Sequence, residues 1–494
     1  MLRTLKITGI SILSTLFVTG CMQLGPDYAE PEATVETDWV EIDNQYVSTE
    51  SPAGPRWWET AFNDPELDWL VSTALLQNLS LRSAALRVLQ SQQQLAIAIG
   101  NQYPQQQAVT GGVSRQRSAG TIFDEYSLGF NLSWEADLWG RFSRQVESSE
   151  AALDASVASY DGALVSLVSQ VAQNYMLIRT FQRRIEVANL NIELQQESLR
   201  IATAKLDAGD VSELDKDQAE SLVYNSIATR TGLEVSLQQL KNSLAILLGE
   251  PPQSFRYLLD AKREIPSVQV NVALGMPQDI IRRRPDIRIA ERQLAAQSAQ
   301  IGFAITELYP HFSIGGTVGI SAQETSNLFD SDSKSWDLSA GFNWNIFNYG
   351  RLRSNIRLQD ARFQQLLTDY RNTVLQAQGD VDNAIVAYLK SHEQLVAYKK
   401  AAEASLRAVE VSRVQYQAGS IPYNPVLTIL ASNAQQQDLL ASTQGAVNTN
   451  LVQVYLALGG GWEIRGNRSP VELLPASTRD EMSGRTEYWR GILQ

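Results

Sequence analysis

Two stretches decide the fold of this 494-residue chain: YSLGFNLSWEADLWGR at 126–141 and WDLSAGFNWNIFNYGR at 336–351. In the first, Tyr126, Leu128, Phe130, Leu132 and Trp134 alternate with Ser127, Gly129, Asn131, Ser133 and Glu135. In the second, Trp336, Leu338, Ala340, Phe342 and Trp344 alternate with Asp337, Ser339, Gly341, Asn343 and Asn345. A period of two gives a strand one apolar and one polar face. Large aromatics close both ends of each apolar row, as where a strand crosses two membrane interfaces. Alternation alone fits a half-buried strand of a soluble sandwich equally well. A shorter alternating segment precedes each stretch, near 108–114 and 312–321. Each half of the chain therefore offers a strand pair, with second strands near 126–135 and 336–346.

The two stretches stand 210 residues apart, and the same offset carries Ala208-Gly209 onto Ala418-Gly419 and Leu248-Gly249 onto Leu458-Gly459. Three landmarks at one spacing indicate duplication and fusion. A long helix is expected after each strand pair. Residues 142–207 contain no proline and one glycine, Gly162. Leu164, Val171, Ile178, Ile185, Ile192, Leu199 and Leu206 recur every seven residues. The offset turns this row into Val374, Val381, Tyr388, Leu395, Ala402, Val409 and Tyr416. A heptad row this long is a seam against neighbouring helices. At about 1.5 Å per residue such a helix measures on the order of 90–100 Å. Gly209 and Gly419 end it, and helices return over 212–248 and 425–458. Shorter helices precede the strands, over 65–100 and 277–308.

The single cysteine, Cys21, cannot form an internal disulfide. It follows Arg3, Lys6, an apolar run too short to span a bilayer, and the small residues Thr19 and Gly20. This order reads as a lipoprotein signal, cut before Cys21, whose thiol then carries lipid. Removing residues 1–20 takes two cations away, so the formal charge goes from −13 to −15. An acidic chain without a basic cluster is not a nucleic-acid binder. No later stretch is a continuous apolar run long enough for a membrane-spanning helix, so any span must be a β-barrel. Four strands cannot close a barrel, and open edges in lipid cost several kcal/mol per backbone group. Three chains would supply twelve strands around a water-filled lumen.

The chain resembles the outer membrane factor family, the TolC-like channels, and within it the OprM/NodT-like efflux lipoproteins. The resemblance rests on LGPDYAEP after the cysteine, on WWETAFNDPELDWLVSTAL from Trp57, and on RRRPDIRIAERQLAAQSAQIGFAITELYPHFSIGG from Arg282. It implies a homotrimer with a twelve-stranded barrel in the outer membrane and a periplasmic helical barrel. It further implies docking, through a periplasmic adaptor, on an inner-membrane pump of the resistance-nodulation-division type. Drugs or other small molecules would leave through the duct, and no catalysis or cofactor beyond the covalent lipid is expected. The implied organisation is a signal at 1–20, an extended segment at 21–64, and helical barrel at 65–102 and 139–249. Strands follow at 103–138, an equatorial region at 250–276 and 461–494, second-copy helices at 277–308 and 349–460, and strands at 309–348. The competing reading, a periplasmic coiled-coil scaffold or adaptor, explains the heptads and the lipid but not the aromatic-ended strands.

The family's aperture lies where the helix pairs turn. Its closing tyrosine and aspartate match Tyr416 and Asp215, and the position that carries arginine in TolC is Ile421. Pro425 and Thr428 stand where acidic residues are expected; Asp210, Glu213, Asp215 and Asp217 either supply negative charge instead or form an ordinary solvated turn. His311 and His392 lack metal-ligand spacing. RRRPD reads as a helix start at Pro285, with Asp286 in its first turn. Trp57 and Trp58 read as packing aromatics.

Overall fold

The computed structural model describes residues 22–39, 46–48, 54–253, 259–261, 263–268, 272–273 and 277–493. Cys21, the signal at 1–20 and part of the joint at 250–276 lie outside the described residues. The helices are α1 Trp57–Phe62, α2 Pro65–Gln77, α3 Leu79–Gly100, α4 Arg141–Asp207 and α5 Glu213–Leu247. They continue with α6 Pro277–Arg283, α7 Pro285–Thr306, α8 Arg351–Gln417, α9 Tyr423–Ala457 and α10 Ala476–Arg485. The strands are β1 Val47–Ser48, β2 Gln106–Ser118, β3 Thr121–Ala136, β4 Val272–Ala273, β5 His311–Ala322 and β6 Lys334–Asn343. The duplication holds residue for residue along the long helices. Helices α4 and α8 are each 67 residues, α5 and α9 each 35, and all four boundaries repeat at the 210-residue offset.

The chain forms two compact units. One comprises residues 1–33, 87–158 and 288–372, the other 34–86, 159–287 and 373–494. The first holds the main sheet, antiparallel throughout, in the order β2-β3-β5-β6. Its register aligns the apolar residues across all four strands: Val109 lies opposite Phe130, Phe130 opposite Val318, and Val318 opposite Trp336. These four are 73%, 43%, 65% and 78% exposed, so the apolar face has no protein cover. The other face is polar: Asn131 donates to Thr110 at 2.8 Å and accepts from Thr317 at 3.1 Å. Ala119 and Gly120, both at positive φ, make the tight β2–β3 turn, where the backbone twist favours such residues. At the foot of the sheet the indoles of Trp139 and Trp344 donate to the carbonyls of Pro310 and Leu308 at 2.8 and 2.9 Å.

In the second unit the heptad rows form the core. Leu164, Val171, Ile178 and Ile192 of α4 are buried, as are Val374, Val381, Tyr388, Ala402, Val409 and Tyr416 of α8. Helix α4 also contains an 18-residue window apolar enough to cross a bilayer by composition. This runs against the expectation that no later stretch is apolar and long enough to span a bilayer; 44% of the window is buried within the chain, and Val168, Val171, Tyr175 and Met176 of this helix have no exposed surface. Trp57 and Trp58 are buried at the helix starts, and Trp57 stacks on Tyr455 at 4.5 Å.

Three expectations need correction. The helix at 65–100 is broken at Asn78, whose side chain accepts from Leu81 N–H and donates to Leu247 O, both at 2.8 Å. Asparagine competes with the helix for its own backbone and caps α3. The helix at 277–308 is likewise two, split before Pro285, and it ends at Thr306. There Arg284 bridges Asp286 and Asp380 and caps Ala457 O, so its charge is used inside the protein. Lastly, the alternation of residues 336–346 outlasts its ladder, which ends at Asn343.

Candidate aperture at the helix turns

The α4–α5 and α8–α9 turns share one backbone. Gly209 donates to Leu206 O and Asp210 to Lys205 O, both at 2.9 Å. Gly419 donates to Tyr416 O at 3.1 Å and Ser420 to Gln415 O at 2.8 Å. With Gly209 at φ 76° and Gly419 at φ 72°, each helix ends in a Schellman motif, which requires a left-handed residue at that point.

The side chains differ sharply between the two turns. In the first copy Asp210, Glu213 and Asp217 are exposed and Asp215 is half-buried. Glu213 and Asp215 sit in the first turn of α5, where the helix dipole favours negative charge. In the second copy the equivalent of Glu213 is Tyr423, which is buried. Its ring lies 5.3 Å from that of Tyr416, inclined at 60°. Both tyrosines belong to an apolar cluster with Ile201, Ala202, Ala219, Val409, Val426 and Leu430, against which Ile421 packs. Ile421 thus contributes packing to the cluster. Ser198 donates to the Tyr423 hydroxyl at 3.4 Å, and the Lys205 ammonium sits 5.4 Å from the Tyr416 ring centre.

Within the chain, the expected contact between Tyr416 and Asp215 is not made. Among the described residues the buried Tyr416 hydroxyl has no hydrogen-bond partner. Burial foremost, and then the Asp215 charge, push its pKa up to about 12, so it stays neutral. Asp215 acts on the hydroxyl through its field and not through a hydrogen bond. Tyr423, Lys205 and Ser198 were not singled out from sequence. Tyr423 lies seven residues past Tyr416, but the turn at Gly419 breaks the helix between them, so that spacing carried no signal. Above the cluster, Asn433 donates to Asn191 at 2.9 Å and accepts from Ser405 at 3.0 Å, joining α9, α4 and α8 by one buried rung.

The histidines are engaged elsewhere. His311 meets the Glu135 carboxylate at 2.8 Å, and His392 stacks on Tyr46 at 4.2 Å. Among the described residues no cluster of His, Cys, Asp and Glu is arranged to hold a metal ion.

The outer membrane efflux protein family covers residues 70–250 and 276–460. The chain belongs to that family. It is therefore an efflux channel of the outer membrane. The nodulation protein T of Rhizobium leguminosarum bv. trifolii is 29% identical over 454 residues, covering 91% of this chain and 96% of that protein. The pyoverdine export outer membrane protein OpmQ of Pseudomonas aeruginosa is 32% identical over 430 residues, covering 83% and 88%. The solved outer-membrane channel OprN superposes with a TM-score of 0.84 at 29% identity, covering 89% of this chain and all of that one.

Proposed function

We propose that three copies of this chain close a twelve-stranded barrel in the outer membrane and act as the passive exit duct of a tripartite efflux system. The observation that carries the reading is the four-stranded sheet, bare and apolar on one face, with β2 and β6 as its edges. In lipid each unpaired edge group costs several kcal/mol, so β6 of one copy must pair with β2 of the next. Two copies would give eight strands, whose interior is filled by side chains; three give room for a water-filled lumen. The helices support the same neighbour. β6 runs into α8, which exposes Val396, Val411 and Val414; α5 exposes Tyr224, Val235 and Ile246. By contrast, α9 buries fourteen residues against five in α5. The second face of α8 and that of α5 would cover each other around a ring.

The apolar row also fits a bilayer. Tyr126 to Trp134 spans eight steps of about 3.4 Å, about 27 Å along the strand, which at a tilt of about 40° is about 21 Å of height, within the apolar band of about 25 Å in such barrels. Lipid on Cys21 would add a hold on the inner leaflet. A periplasmic adaptor and an inner-membrane pump of the resistance-nodulation-division type would drive drugs or other small molecules through. The aperture would sit at the paired turns, with Asp210, Glu213, Asp215 and Asp217 lending negative charge and the Tyr416 cluster holding the helices shut. The test is purification from outer membranes, followed by native mass spectrometry and planar-bilayer recording. A trimer with discrete conductance is expected; a monomer with no conductance would overturn the reading.

A further inference from the structure

The LGPDY motif behind Cys21 has a docking site of its own, in the unit that carries the sheet. The Leu24 amide donates to Trp139 O at 3.2 Å, in the short link between β3 and α4. Arg144, one turn into α4 and 1% exposed, grips the segment. Its Nε donates to Leu24 O at 2.9 Å, and its Nη2 to Gly25 O at 3.3 Å and to Asp27 at 3.0 Å. Its remaining nitrogen, Nη1, meets Glu147 at 2.7 Å, and Gln23 donates to the same carboxylate at 3.1 Å. A guanidinium buried this deeply needs those acceptors, because burying it unpaired is costly. Four residues on, the Tyr28 hydroxyl donates to Glu291 of α7 at 2.6 Å.

Three glycines make the fit. Gly25 holds φ 97°, and a Cβ there would meet the Gly302 backbone of α7 at 2.4 Å. A Cβ on Gly302 would meet Arg144 Nε at 2.7 Å and Leu24 O at 2.9 Å, and one on Gly140 would meet Gln23 at 2.9 Å. The second copy has none of this. The equivalent of Arg144 is Ser354, and Gly350, which matches Gly140, faces open space. The site is built for one strap per chain, and it bridges the first repeat (α4) to the second (α7).

We propose that residues 22–28 are a docked strap, held by Arg144, that fixes the acylated Cys21 at the foot of the sheet. Leu24 is three residues from Cys21, so chain length alone keeps the attachment point, Cys21 Cα, within about 10 Å of Leu24. The role of the lipid rests on the reading above; the docking does not. Lipid and sheet then meet the bilayer at one height, and the strap clasps the two repeats below the strands.

The test uses full-length protein carrying Cys21→Ser and Met22→Cys behind an ordinary secretion signal, with a nitroxide on the new thiol. An immobilised spectrum is expected, turning mobile in Arg144→Gln and in Gly302→Leu. Hydrogen exchange of the Leu24 amide in the unmodified protein is the second readout. It is expected to be slowed at least about tenfold relative to the Arg144→Gln variant. If Gly302→Leu does not fold, Arg144→Gln and the exchange rate decide. A mobile spectrum in the parent, fast exchange at Leu24, or immobility that survives both substitutions would overturn the proposal. Mass spectrometry of the wild-type N-terminus for acyl groups tests the lipid reading separately.

Discussion

Phe130→Arg and Asn131→Arg are neighbours in sequence and should differ threefold in cost. Phe130 is the centre of the apolar row from Tyr126 to Trp134, flanked by Val109 and Val318 and 43% exposed. An arginine there faces lipid near mid-depth, at a cost of about 3 kcal/mol per chain, or about 9 kcal/mol for the closed barrel. Asn131 points to the other face, with Thr110 and Thr317 as partners. Replacing it loses two hydrogen bonds on a wet surface, together worth about 1 kcal/mol per chain, since water replaces them. The new guanidinium would stand beside the Thr317–Asp337 pair of the register. Leu132 and Phe342 share the apolar face with Phe130, and Asn343 shares the polar face with Asn131. The assay is the urea midpoint of the trimer folded into lipid vesicles, read by an unheated gel. A large loss at Phe130, Leu132 and Phe342, with a small one at Asn131 and Asn343, is expected. Equal losses on both faces would refute the division into lipid and lumen.

Other expectations concern the anchor, the aperture and pH. Cys21→Ser abolishes acylation, seen by mass spectrometry, while a barrel supplied with another signal peptide still reaches the outer membrane. Since the Tyr416 hydroxyl has no partner, Tyr416→Phe leaves single-channel conductance near wild type. Tyr416→Ala removes the packing against Tyr423, costs about 3–5 kcal/mol locally, and raises conductance; Asp215→Ala has little effect alone. His392 sits between Tyr46 and Tyr388 with Nε2 buried and unpartnered, and burial lowers its pKa. The unfolded chain thus binds the proton more readily, so this contribution is intact above the ordinary imidazole range and is lost as pH falls below about 6.5. Melting curves between pH 7 and 5 should fall more steeply for wild type than for His392→Phe.

Periodicity made the long helices and the sheet legible because it reports which face is buried, and both elements extend over many repeats. The heptad row from Leu164 to Leu206 marked α4, and the shifted row marked α8. Breaks that hang on one polar side chain were not legible: Asn78 looks like an ordinary helix residue until Leu247 lies against it. Tyr416 and Asp215 came from the resemblance, whereas the packing of Tyr416 on Tyr423 was not read from the sequence. Nothing in the spacing ties Arg144 to Leu24, 120 residues away.

The divergence of the two turns has a consequence in stoichiometry. In the proposed ring of three chains there would be six turns of one backbone, yet the residues at their tips come in two kinds. Every substitution at the proposed aperture would be felt three times, never six. Charge would be confined to one set of turns and the aromatic cluster to the other. Mutation can retune what ions the mouth attracts through Asp210 or Glu213 without loosening Tyr416 and Tyr423. It can equally loosen the closure while leaving the charge alone. A ring of identical subunits without the internal duplication would have to change both properties at the same six positions.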